Sequence, residues 1–206
     1  MNKLSYASDT TAAVPGANLS SSRGYLAATG NSNHGYFGGG PTGSPAESTM
    51  DKVTYASDTT AAVPGAALSL ARGNLAATGN SSFGYFGGGY GGKSTMDKVT
   101  YASDTTAAVP GANLIVARSN PAATGNSNHG YFGGGGPSSS IKSTMEKVTY
   151  ASDTTATVPG ANLSLGRSRL AATGNSSFGY FGGGNPERST MDKVTYASDT
   201  TAAVPG

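Results

Sequence analysis

The chain repeats itself, and the period of that repetition constrains the fold more than any other property. The string Tyr-Ala-Ser-Asp-Thr-Thr begins at Tyr6, Tyr55, Tyr101, Tyr150 and Tyr196, at spacings of 49, 46, 49 and 46 residues. The string Gly-Tyr-Phe-Gly-Gly-Gly begins at Gly35, Gly84, Gly130 and Gly179, spaced 49, 46 and 49. A fixed period of this length marks an array of supersecondary units, none of which can bury its own hydrophobic face alone. There are four full repeats, over residues 17–65, 66–111, 112–160 and 161–206, and residues 1–16 are a surplus copy of the segment that ends the chain. A second period lies on top of the first. Repeats one and three carry Asn-His before the glycine motif (Asn33-His34, Asn128-His129), and repeats two and four carry Ser-Phe (Ser82-Phe83, Ser177-Phe178). The unit duplicated last is therefore a pair of repeats, which favours an even number of them.

Within one repeat the pattern is that of short strands. In Asp51-Lys52-Val53-Thr54-Tyr55, Val and Tyr alternate with Lys and Thr, the period of a half-buried strand. Ala56-Ser57-Asp58 is turn chemistry, whose short polar side chains bond to nearby backbone. Thr59 to Val63 is a β-branched and apolar run stopped by Pro64-Gly65. Leu75-Ala76-Ala77-Thr78 is a run of small residues, and Gly84-Tyr85-Phe86 is an aromatic strand closed by three glycines. Four strands in each unit of 40–50 residues make the blade of a β-propeller. The small-residue strand suits the crowded position nearest the axis. The glycine run permits positive φ and close approach of neighbouring backbones. The expected fold is all-β: one propeller domain over residues 1–206, with four blades. Five blades, or a strand-swapped oligomer, are the alternatives; a fifth blade would lack its two inner strands.

These repeats resemble those of the kelch-type propellers. The likeness lies in the glycines after an aromatic strand (Tyr85-Phe86-Gly87-Gly88), the Val-x-Tyr strand (Val99-Thr100-Tyr101), the threonine-containing turn, and an arginine just before the small-residue strand (Arg23, Arg72, Arg118, Arg167). The kelch tryptophan is missing, its place falling near Ala107–Val109. The wording of the repeat is also similar to kelch-like arrays in structural, tail-fibre-like proteins of marine cyanobacterial phages, which implies a virion location. An engineered array made to study propeller assembly would carry the same pattern.

Composition narrows the functional classes. There is no cysteine, hence no disulfide framework, thiolate metal site or cysteine nucleophile. A net charge of +2 without basic runs argues against a nucleic-acid partner, and no apolar run reaches the length of a membrane helix. Met1-Asn2-Lys3-Leu4-Ser5 has no apolar core of a secretory signal.

Few residues offer chemistry. Gly87 to Ser94 fits the phosphate-loop pattern G-x-x-x-x-G-K-[ST], but a strand follows it where a helix is required. His34 and His129 occupy equivalent turns, and two imidazoles fall short of a zinc site. The four arginines either ring a channel, facing an anionic ligand, or tie one blade to its neighbour's carbonyls and aspartates. Asp9, Asp58, Asp104, Asp153 and Asp199 read as turn residues bonded to their own backbone. No nucleophile, base and acid recur together, so neither enzyme activity nor a cofactor is expected. What varies is the loop between the glycine run and Ser-Thr-Met: residues 41–47, 90–93 (including Tyr90), 136–142 and 185–188. Any recognition is expected there. The expected function is a non-enzymatic structural or recognition module, with a multivalent carbohydrate-binding module as the alternative. Its expected partners are surface glycans, or further copies of itself through the duplicated terminal strands.

Overall fold

The computed structural model describes residues 1–41, 45–136 and 140–204. Among these residues eighteen strands form five successive antiparallel sheets. A two-stranded sheet comes first, from β1 (Asn2–Ser5) and β2 (Thr10–Ala13). Four four-stranded meanders follow in chain order. Sheet one holds β3 (Ala27–Gly30), β4 (His34–Gly38), β5 (Met50–Thr54) and β6 (Thr59–Ala62). Sheet two holds β7 (Ala76–Gly79), β8 (Phe83–Gly87), β9 (Met96–Thr100) and β10 (Thr105–Ala108). Sheet three holds β11 (Ala122–Gly125), β12 (His129–Gly133), β13 (Met145–Thr149) and β14 (Thr154–Thr157). Sheet four holds β15 (Ala171–Gly174), β16 (Phe178–Gly182), β17 (Met191–Thr195) and β18 (Thr200–Val204). The only helical segments among the described residues are three-residue 3-10 turns such as Pro64–Ala66, where proline fixes φ and has no amide to lose. No helix is long and apolar enough to cross a membrane.

The four-sheet count expected from the repeats is corrected to five. Residues 191–204 complete sheet four within the chain, so the surplus copy at residues 1–16 cannot join it and pairs with itself instead. That small sheet leans on sheet one, through Lys3 and Asp58 at 2.8 Å, and leaves a cavity of about 320 Å³ bordered by Leu4, Tyr6, Val53 and Tyr55. Almost all of its residues are exposed.

The core lies between sheets. Ala27, Tyr36 and Met50 of sheet one pack on Leu68, Leu75, Phe86 and Val99 of sheet two, and equivalent residues repeat this at the next two junctions. The four Ala-Ala-Thr-Gly strands, β3, β7, β11 and β15, run side by side at the inner edge. There the threonine of one sheet meets the tyrosine of the next: Thr29 with Tyr101 at 3.3 Å, Thr78 with Tyr150 at 3.3 Å, Thr124 with Tyr196 at 3.2 Å. This approach requires glycine at position 84, where a Cβ would come within 2.6 Å of the Thr29 methyl and 2.7 Å of the Tyr101 hydroxyl. The glycine run serves the same junction. Gly40, Gly89 and Gly135 turn with positive φ and donate their amides to the backbone carbonyls of Arg72, Arg118 and Arg167 in the following sheet.

Candidate functional site

The arginines do not face a channel. The side chains of Arg23, Arg72, Arg118 and Arg167 are enclosed, each ion-paired with a carboxylate of its own sheet: Asp51, Asp97 (3.0 Å), Glu146 (2.8 Å) and Asp192. Further donors reach oxygens of the same sheet, as Arg23 Nη1 does to the Gly39 (2.9 Å) and Thr49 (2.7 Å) carbonyls. The ligand-facing expectation for these four residues is thus replaced by a structural role. So is the expectation of a tie between blades, because each arginine pins the loop before the inner strand to the third strand of one sheet. Burial pulls the Arg72 guanidinium below its usual pKa, and Asp97 opposes the shift. An unpaired charge in such a place is costly, which explains why the carboxylate recurs in every four-stranded sheet. In the small sheet no arginine exists, and the equivalent position holds the neutral Asn2.

The turn aspartates also depart from expectation. All five take positive φ, near 50°, as turn residues do. The carboxylates of Asp104, Asp153 and Asp199 nevertheless reach across to the preceding sheet. Asp153 accepts from the Tyr85 hydroxyl at 2.5 Å and from Lys98 at 2.8 Å. Asp104 pairs in the same way with Tyr36 and Lys52, and Asp199 with Tyr131 and Lys147. Burial alone would raise the Asp104 and Asp199 carboxyls, but the hydrogen bonds from lysine and tyrosine outweigh it and hold both below the usual range. Burial, then the bonded aspartate, pushes the Tyr36, Tyr85 and Tyr131 phenols far above theirs.

His34 and His129 open β4 and β12, half-buried. His129 borders a surface groove with Lys147 and Asp199. Burial and then Lys147 lower its basicity, against the pull of Asp199. The equivalent Phe83 and Phe178 carry Lys98 and Lys193 over their rings, at 4.1 and 3.8 Å from the centroids. Among the described residues no group of three His, Asp or Glu side chains could hold a metal ion. The phosphate-loop match dissolves into a turn, with β9 rather than a helix after it.

The variable loops converge. The segments just before the inner strands form a backbone ladder from sheet to sheet: Asn74 donates to Tyr25 (2.8 Å), Asn120 to Asn74 (2.9 Å) and Arg169 to Asn120 (3.0 Å). Each variable loop docks on this ladder, with Tyr90 bonded to Gly73, Gly136 to Ser119 and Asn185 to Ser168. Two adjoining clefts of about 340 and 380 Å³ result, sharing Asn74, Tyr90 and Arg169. Tyr25 and Arg169, from sheets one and four, both line the second cleft. Tyr25, Asn74, Asn120 and Arg169 occupy one repeat position and all take φ between 53° and 59°. Asparagine tolerates that conformation, whereas tyrosine and arginine are strained in it by about 1–2 kcal/mol. Tyr25 and Tyr90 are 70% and 75% exposed, so both rings present a face to solvent. Of the loops singled out from sequence, residues 42–44 and 137–139 lie outside the described residues. Sequence reasoning found Tyr90 and missed Tyr25 and Arg169, although both differ in type from the asparagines at the equivalent positions.

No protein-family model matches the chain, and no curated protein matches it.

Proposed function

We propose that the chain is a non-enzymatic recognition module of the kelch-like propeller type, and that its ligand surface is the paired cleft at Tyr25, Asn74, Tyr90, Asn120 and Arg169. One observation carries this reading. The apolar side chains that repeat from sheet to sheet are spent on packing, while the loops that vary in length and wording gather over the clefts at one end. Exposed tyrosine faces, amides, hydroxyls and a single cation suit a sugar, whose C–H face lies on an aromatic ring and whose hydroxyls exchange bonds with amides. Arg169, exposed and with no carboxylate partner among the described residues, is a planar fork that favours a carboxylated sugar over a neutral one. Strain at Tyr25 and Arg169 supports a role beyond the scaffold. A place on a phage particle or tail fibre accords with a repeated scaffold carrying variable loops.

The test is a panel of multivalent neutral and carboxylated glycans, read with the wild-type chain and with Arg169→Asn, which installs the residue found at positions 74 and 120. The reading predicts weak single-site binding that strengthens with multivalent display. It also predicts a loss of about tenfold or more for the variant on carboxylated glycans. Silence across the panel overturns it.

A further inference from the structure

Three times in this chain, one sheet joins the next by the same set of contacts. A tyrosine ring stacks on the following sheet's tyrosine (Tyr36 on Tyr101, Tyr85 on Tyr150, Tyr131 on Tyr196, with centroids 4.7–4.8 Å apart). Its hydroxyl and a neighbouring lysine share one aspartate of that following sheet. A methionine (Met50, Met96, Met145) closes the apolar interior of the junction, no more than 1% exposed.

Sheet four carries the giving half of a fourth such junction. Met191 is 41% exposed and Thr173 is exposed, and among the described residues no ring stacks on Tyr180 and no carboxylate pairs with Lys193. The small sheet carries the receiving half. Tyr6 is 88% exposed and Leu4 is 50% exposed, and the Asp9 carboxylate, at the repeat position of Asp104 and Asp199, has no partner among the described residues. Among the described residues neither β1 nor β2 packs on a strand of sheet four. We propose that the two halves meet between chains: sheet four of one copy docks on the β1–β2 sheet of a second, with Lys193 on Asp9 and Tyr180 stacked on Tyr6.

The partner is a second copy because each end presents the complement of the other in shape and in charge, already realised three times inside the chain. Lys3 holds β1–β2 on sheet one through Asp58, as Lys52, Lys98 and Lys147 hold their own neighbours. The small sheet therefore keeps its place in the array: Lys3 reaches sheet one, and strand alternation sets the Leu4 side chain on the opposite face of β1, whose backbone borders the cavity. Asn2 suits this part. With no inner strands and no arginine beside it, an aspartate there would lack the partner that Asp51 has. Such a contact is heterologous, head to tail, so it propagates into a ring or a filament according to whether its rotation closes.

The test is light scattering after gel filtration over a range of concentrations, on the full chain and on two variants. Wild type is expected above its monomer mass of 20.3 kDa, in a species that grows with concentration or settles at a fixed multiple. Lys193→Asp, which sets two carboxylates face to face, is expected to weaken association about tenfold or more. Lys193→Asp combined with Asp9→Lys is expected to restore it. Both positions lie at or near the surface, and circular dichroism confirms that each variant is folded. A wild-type mass of 20.3 kDa at every concentration overturns the proposal, as does association that ignores both variants.

Discussion

Tyr85 stacks on Tyr150 across the junction between sheets two and three, with ring centroids 4.7 Å apart and the planes 15° from parallel. Its hydroxyl donates to Asp153 at 2.5 Å. The pair joins packing to electrostatics. The ring fills the apolar interior, and the hydroxyl satisfies a carboxylate that Lys98 also holds. Tyr85→Phe keeps the stack and removes the bond to a charged acceptor, so urea unfolding is expected to show a loss of about 1.5–3 kcal/mol. Tyr85→Ala removes both and is expected to cost about 3–5 kcal/mol.

The pins inside each sheet are tested at Arg118 and Glu146, both 0% exposed. Arg118→Met strands a buried carboxylate and is expected to destabilise by about 3–5 kcal/mol. Adding Glu146→Gln removes the stranded charge, so the double variant is expected to be more stable than the single one. A double-mutant cycle in urea reads the coupling directly.

The four pins are not equal. Glu146 accepts from the amides of Ile115 and Val116 and from Arg118 Nε and Nη2. The shorter Asp51, Asp97 and Asp192 each leave Oδ1 without a bond, and their arginines leave Nε without one. Asp97→Glu reproduces in sheet two what sheet three already has. It is expected to raise the stability of the chain by about 1 kcal/mol, measured as a shift in the urea midpoint at unchanged slope.

The strands and their pairing into repeated antiparallel sheets were legible in the sequence because the period, the breakers and the strand alternation are local signals; the number of sheets was not, because it depends on where the surplus copy pairs. All four strands of each repeat stand where Val53, Ala61, Ala77 and Tyr85 place them. The side-chain partners were not legible. Arg72 and Asp97 are 25 residues apart, and Tyr85 and Asp153 are 68 apart. Nothing in a turn such as Ala-Ser-Asp announces that its carboxylate will face another sheet. Asp51 held one usable signal, since alternation sets it on the same face as Val53, and a buried carboxylate demands a buried cation. Asn2 at that position in the surplus copy is the counterpart. The convergence of Tyr25, Tyr90 and Arg169 depends on how successive sheets are turned, which no single repeat encodes.

Acid is expected to loosen the junctions before the rest. Asp104 and Asp199 have folded pKa values below those of an unfolded aspartate, which titrates near about 3.9. Their contribution is therefore complete above that value and is lost as pH falls through it toward the folded values. Thermal unfolding is expected to soften slightly between about pH 7 and pH 5, where His129 takes up its proton more readily in the unfolded chain, and to fall steeply below about pH 4. The fall is expected to be shallower in Asp104→Asn, which starts from a lower midpoint.

The most direct measurement is a backbone NMR titration of the isotopically labelled chain with a carboxylated oligosaccharide. The account predicts shifts confined to the ladder and its loops, centred on Tyr25, Asn74, Tyr90, Asn120 and Arg169, with Arg23, Arg72, Arg118 and Arg167 unmoved. Shifts centred on the His129 groove, or no shift anywhere at millimolar sugar, would contradict it.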